Sequence, residues 1–139
     1  MNVKVLALDY GTKRIGIASG DRGMGIAFPR DIVDNNPAVF DKIEKLCVDL
    51  DVKIVIIGLP LSVKEEYAEN KVMKSLKVFV DMLKKRLNLL NIEIEYVDER
   101  FSSFEASSVT GKSGLSKKDK LDAHAAQVIL QRYFDKFKA

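Results

Sequence analysis

Three acidic residues stand where an uncompensated charge would be costly. Asp9 closes the apolar run VKVLALD (residues 3–9), and Glu99 sits just past a second such run, IEIEYV (residues 92–97). If these two strands run parallel, both acids emerge at one edge of the sheet, where open α/β sheets usually bind ligands. Asp122 is the sharper case. Steps of 100° around the last helix place it among Ala125, Ala126, Ile129 and Tyr133, with His124, Gln127, Gln131 and Asp135 on the opposite face. A lone carboxylate in an apolar arc is expensive to desolvate. Taken singly, each has an ordinary explanation: Asp9 as a turn former, Asp122 as a partner of Arg100 or Arg14. Taken together, converging acids call for cations, and Mg²⁺ or Mn²⁺ are hard ions that take oxygen ligands. Asp98 falls on the opposite strand face from Glu99 and reads as a residue that orients Arg100.

The elements that must position these acids follow from pattern. Residues 3–9, 14–20 and 24–33 read as strands, with Gly20–Gly23 as a hairpin connection. Asn36-Pro37 opens a helix with Pro at its first position and a face of Val39, Phe40, Ile43, Cys47 and Leu50. Residues 53–58 form a buried strand. A helix near 66–88 carries Val72, Leu76, Phe79, Val80, Leu83 and Leu87 on one face. Residues 92–97 form the last strand. Ser102 or Ser103 caps a short helix to about Val109, Gly111–Lys120 reads as a polar loop, and the final helix runs from about Lys120 to Phe137. Short connections make the first three strands an antiparallel meander. Helical crossovers bring the later strands in parallel to the first. The expected fold is α/β: a mixed five-stranded sheet with helices on both faces, one domain over residues 1–139.

Composition narrows the partners. The chain has 139 residues, 47% hydrophobic and 31% charged, with a net charge of +3 that permits nucleic acid without demanding it. Its one cysteine, Cys47, cannot form an internal disulfide, and its spacing marks it as core filler. With no signal peptide and no long apolar run, the expected location is the cytoplasm.

The string Leu8-Asp9-Tyr10-Gly11-Thr12-Lys13-Arg14-Ile15-Gly16 resembles the opening motif of the YqgF family of pre-16S rRNA nucleases, relatives of the Holliday-junction resolvases. Three further stretches resemble the family in the same order: Gly58-Leu59-Pro60-Leu61, Val97-Asp98-Glu99-Arg100 with Ser102-Ser103, and Asp122-Ala123-His124-Ala125-Ala126-Gln127 with Ile129-Leu130-Gln131. The resemblance spans essentially the whole chain. It implies a ribonuclease H-like fold and a metal-dependent nuclease that trims the 5′ end of the small-subunit rRNA precursor. By motif, Asp9, Glu99 and Asp122 are the catalytic, metal-holding acids. Asp9 would bridge two Mg²⁺ or Mn²⁺ ions about 4 Å apart. The chain departs from the pattern after Leu61, where Ser62-Val63-Lys64-Glu65-Glu66-Tyr67 contains no Gly, at Asp119, which interrupts a lysine run, and at His124, which reads as a surface residue.

Lys13, Arg14 and Arg100 are candidates for phosphate contacts, since Arg suits bidentate recognition and Lys acts as a point charge. Lys112, Lys117, Lys118 and Lys120 are candidates to track a nucleic-acid backbone, against the plainer reading of a solvated loop. Phe101 and Phe104 are aromatics without an obvious place in the core, and they suit stacking on unpaired bases. No spare apolar patch marks a committed dimer, so the expected state is a monomer or weak homodimer acting on single-stranded RNA. Branched DNA is the alternative substrate. Two rivals stand beside the nuclease reading. One is an ATPase of the actin and sugar-kinase type, whose phosphate loop Asp9-Tyr10-Gly11-Thr12 resembles. The other is a non-catalytic RNA-binding or transcription-associated module.

Overall fold

The computed structural model describes residues 3–59, 71–98 and 117–136; for residues 59, 71–73, 98 and 117–123 only the backbone course is described. Five strands form one sheet: β1 (Lys4–Asp9), β2 (Arg14–Asp21), β3 (Ile26–Asp34), β4 (Val52–Leu59) and β5 (Glu93–Asp98). Their order is β3-β2-β1-β4-β5. β2 pairs antiparallel with β1 and with β3. β4 pairs parallel with β1, and β5 pairs parallel with β4. This is the expected mixed sheet. Among the described residues three helices pack on it: α1 (Val39–Asp49), α2 (Lys71–Asn88) and α3 (Lys117–Asp135).

Strand alternation splits the core into two layers of unequal bulk. One sheet face presents Leu6, Leu8, Ile15, Ile17, Val55 and Ile57 to α1 and α2, which answer with Phe40, Ile43, Cys47, Leu76, Phe79, Leu83 and Leu87. The other face presents Val5, Ala7, Ala18, Ala27, Ile54, Ile56 and Val97 to α3, which contributes Ala126, Ile129, Leu130, Tyr133 and Phe134. Small side chains on this second face let α3 lie close to the sheet. At Gly20 a Cβ would stand 2.8 Å from a ring carbon of Phe134. α3 lies across β1, β2 and β3.

Several boundaries differ from the expectation, each for a local reason. Pro37 precedes α1 by two residues: the Asn36 side chain accepts a hydrogen bond from the Ala38 amide (3.0 Å) and its carbonyl accepts one from Val39 (2.9 Å), so an Asx turn delays the helix. The β2–β3 connection is Arg22–Gly25 rather than Gly20–Gly23. Asp21 organises it, its carbonyl accepting from Met24 (3.1 Å) and Gly25 (2.9 Å) and its carboxylate from Gly23 (2.7 Å), and Gly25 supplies φ 71°. The last helix starts at Lys117, so 117–120 belong to it and not to a loop. Gly114 is the last helix breaker before that point, and Lys, Asp and Leu all tolerate helix. The short helix expected after Ser102 and the start of the second helix at 66 lie outside the described residues.

The expectation of no spare apolar surface needs correcting. Met24, Ile26 and Phe28 are 48–63% exposed together on the β2–β3 hairpin, and Tyr96 is 46% exposed. Phe28 and Tyr96 are thus exposed aromatics among the described residues, while Phe101 and Phe104 lie outside them. No described helix is long and apolar enough to cross a membrane.

Candidate active-site edge

β1, β4 and β5 run parallel, so their C-terminal ends share one edge of the sheet. In register, Asp9 stands between Gly16 of β2 and Gly58 of β4, and Leu59 stands beside Asp98. Asp9 continues the series Val5, Ala7 and therefore belongs to the α3 side of the sheet. It is half-buried and engaged by a neighbour. Neither strand beside Asp9 places a side chain next to it, because both facing residues are glycines. Gly16 and Gly58 are far from Asp9 or from each other in sequence, and it is register that brings both beside the acid.

α3 is anchored at the opposite end of the sheet. Its C-terminal half lies over the far end of the sheet, where Phe134 meets Gly20 and Tyr133 accepts a hydrogen bond from Arg22 Nη1 (3.2 Å). The twelve residues from Phe134 back to Asp122 span roughly 18 Å of helix. The four residues from Gly20 to Gly16, the partner of Asp9, span roughly 13 Å of strand. The length of α3 is therefore sufficient for its N-terminal part, which carries Asp122, to span that distance. Glu99 lies outside the described residues; the chain enters it from Asp98, the last residue of β5, at that edge. Arg100, Phe101, Phe104 and Lys112 also lie outside. Lys117, Lys118 and Lys120 belong to the first turn of α3.

The turn after Asp9 is tightly built. A Cβ on Gly11 would collide with the Arg14 carbonyl oxygen, so only glycine fits there. The Asn35 side chain donates to the Gly11 carbonyl (2.9 Å), and the Asn35 amide donates to the Lys13 carbonyl (2.8 Å). Lys13 is exposed and Arg14 half-buried. Arg14 shares the α3 side with Gly16 and Ala18 by alternation, so two of the candidate phosphate contacts flank the acid's edge. Tyr10 points the other way. Its hydroxyl is hydrogen-bonded to Ser75, its ring lies 5.1 Å from that of Phe79, and it lines a groove of about 570 Å³ with Thr12, Asn35, Val78 and Met82.

One misplacement concerns the polar side of α3. Gln127 and Gln131 are half-buried and bind the backbone of the β2–β3 hairpin rather than only water. Gln127 Nε2 donates to the Ala27 carbonyl (3.1 Å), Gln131 Oε1 accepts from the Ala27 amide (3.0 Å), and Gln131 Nε2 donates to the Gly25 carbonyl (2.8 Å). His124 is half-buried rather than fully at the surface. Burial raises the pKa of the Tyr133 hydroxyl, with the hydrogen bond from Arg22 opposing and the nearby Glu95 carboxylate reinforcing.

A family model described as the Holliday junction resolvase RuvX matches residues 3–136. The chain belongs to the RuvX family. A protein of Sulfurihydrogenibium sp. (strain YO3AOP1), named "Putative pre-16S rRNA nuclease", is 38% identical over 134 residues, covering 96% of this chain and 90% of that protein. A protein of the same name from Bacteroides fragilis is 39% identical over 137 residues, covering 95% of this chain and 96% of its own. Among solved structures, Thermus thermophilus RuvC in complex with Holliday junction substrate superposes with a TM-score of 0.64 at 11% identity, covering 96% of this chain and 94% of its own. The Fowlpox virus resolvase, in complex with substrate Holliday junction DNA, superposes with a TM-score of 0.58 at 14% identity over the whole of both chains. These likenesses give the RuvX-family chain a ribonuclease H-like fold.

Proposed function

We propose that this protein is a divalent-metal-dependent nuclease that hydrolyses RNA phosphodiesters, with the 5′ end of pre-16S rRNA as its natural target. The observation that supports the reading is the shared edge at which the parallel strands end. Asp9 closes β1 on the α3 side, β5 ends at that edge one residue before Glu99, and α3, which packs on that side, carries Asp122 near its start. Carboxylate oxygens are the donors Mg²⁺ and Mn²⁺ prefer. On this reading Asp9, Glu99 and Asp122 hold the cations, and the glycines beside Asp9 leave its carboxylate uncrowded by neighbouring strands. Divalent ions bound there supply Lewis-acid stabilisation of phosphoryl charge and lower the pKa of water. Lys13 and Arg14, on the turn and strand after Asp9, bind the phosphate that the acids address. Arg100, Phe101 and Phe104 contact the nucleic acid from the segment after β5, and Lys117, Lys118 and Lys120 do so from the first turn of α3. The names carried by the relatives support rRNA as the target. The family description supports the second reading, cleavage of four-way DNA junctions.

The test is a cleavage assay with purified protein and Mg²⁺ or Mn²⁺ on single-stranded RNA, precursor rRNA ends and four-way junctions in parallel. Asp9→Asn, Glu99→Gln and Asp122→Asn should each abolish cleavage while the circular dichroism spectrum stays that of the wild type. Ca²⁺ should bind but support little turnover, because its looser coordination misplaces the reacting groups. Cleavage undiminished in excess EDTA would refute the metal reading. Paired symmetric nicks in a junction, faster than cuts in single-stranded RNA, would favour the resolvase.

A further inference from the structure

We propose that Gln127 and Gln131 are positioning residues. By clasping the backbone of β3 they fix the register of α3 on the sheet, and so the place of Asp122 at the edge where Asp9 stands. The inference rests on the metal-site reading above.

β3 is an outer strand of the sheet. An outer strand presents backbone groups that a further strand would pair. Here α3 takes the place of that strand. Both polar groups of the Ala27 peptide unit are bound, its amide by Gln131 Oε1 at 3.0 Å and its carbonyl by Gln127 Nε2 at 3.1 Å. Gln131 Nε2 reaches the Gly25 carbonyl at 2.8 Å and the Asp135 carboxylate at 3.1 Å. The acceptor and both donor hydrogens of the Gln131 amide are thus used, which leaves that side chain one orientation. The two glutamines are four residues apart, one turn, so they grip the strand from the same side of the helix.

The packing beneath explains why such a clasp is needed. Towards the acid's edge the strands that α3 mainly covers offer it Ala7, Ala18 and Gly16 against its own Ala126, while the bulkier Ile56 and Val97 stand to one side on β4 and β5. Small residues allow close approach but give a surface of low relief. Ridges and grooves then oppose sliding or rotation weakly. Directional hydrogen bonds supply the register that shape does not. A slip of one residue would move Asp122 about 1.5 Å along the helix and about 100° around it. Gln127 is five residues from Asp122, so a stiff helix transmits the clasp directly to the acid.

The test uses the full chain with Gln127→Met, Gln131→Met and the double variant. Methionine keeps length and apolar bulk while removing the hydrogen bonds. Three quantities are read: hydrogen exchange of the Ala27 amide, Mn²⁺ affinity by electron paramagnetic resonance without substrate, and kcat and KM on single-stranded RNA. In the double variant the Ala27 amide should exchange faster. Mn²⁺ affinity and kcat should each fall by about 10-fold or more, with KM little changed, as for supports that orient metal ligands. Wild-type Mn²⁺ affinity and kcat in a variant whose Ala27 amide exchanges faster would overturn the proposal and leave the glutamines as covers for a strand edge. If the double variant does not fold, Gln127→Met, which removes a single bond, carries the same test with smaller shifts in the same direction. A wild-type protein that binds no Mn²⁺ would overturn the metal-site reading, and this inference with it. Wild-type binding that survives loss of the clasp overturns the inference alone.

Discussion

At the scale of single residues, chemistry and structure pull on side chains in different ways, and Cys47 shows the structural pull in isolation. It lies in the layer between the sheet and α1, 1% exposed. Burial first, and the Glu44 carboxylate second, push its thiol pKa up to about 12. In the unfolded chain a thiol ionises near 8.5. The folded state therefore holds its proton where the unfolded state has lost it. This contribution to stability is fully present below about pH 8.5 and is lost as pH rises towards 12, by up to about 1.4 kcal/mol per pH unit. Urea unfolding at several alkaline pH values should show a shallower decline for Cys47→Ala than for the wild type; equal slopes would mean the thiol is not protected. Native protein at pH 8 should also resist thiol reagents that label the unfolded chain at once. Asp9 is different, since its place was legible from pattern alone: an acid closing an apolar strand at the edge of the sheet. Gln127 and Gln131 were not legible. A helical projection separates apolar from polar, but it does not say which polar residues face water and which face the backbone of an outer strand.

Elements were legible wherever pattern and breaker agreed. The two periodicities located all five strands and all three described helices, and the order of short and helical connections gave the mixed sheet. The misses sit at ends, where a side chain competes for backbone donors: Asn36 ahead of α1, and Asp21 in the β2–β3 turn. The apolar exposure of Met24, Ile26 and Phe28 was also missed, because alternation shows which side chains share a face but not whether a helix covers that part of it. The turn from β1 to β2 is the element on which the edge depends most. Gly11 lies so close to the Arg14 carbonyl that any side chain must push the backbone apart. Gly11→Ala should destabilise the fold by roughly 1–3 kcal/mol. It should also reduce cleavage more than stability alone explains, because Asp9, Lys13 and Arg14 flank the same turn. Thermal melts and single-turnover rates on one preparation would check both; an unshifted melting temperature would show that the turn tolerates the methyl group.

At the scale of the whole molecule, substrate choice follows from charge and from symmetry. A net charge of +3 is too small to hold long nucleic acid by itself, so local cations must do so. With their backbone in the first turn of α3, Lys117, Lys118 and Lys120 ride on the element that carries Asp122. Replacing all three with Ala should weaken binding to any single strand alike and flatten its salt dependence by roughly 0.7 per lost contact. An unchanged slope would remove these lysines from the binding surface. A four-way junction, by contrast, needs two active sites held by a dimer. The exposed hairpin of Met24, Ile26 and Phe28 is the surface to cross-link first if symmetric cutting is observed.

The layer built by α3 also fixes a timetable. Among the described elements α3 is the last to be synthesised, yet it alone supplies the helical half of the second core layer and carries one of the three proposed ligands. Until it emerges from the ribosome, Ala7, Ala18, Ile54 and Ile56 lack the cover that α3 gives them. At about 5–20 residues per second the interval is seconds long. A nascent chain is thus both vulnerable to clumping and, on the proposed mechanism, harmless to the RNA around it; completing the fold and arming the enzyme are one event.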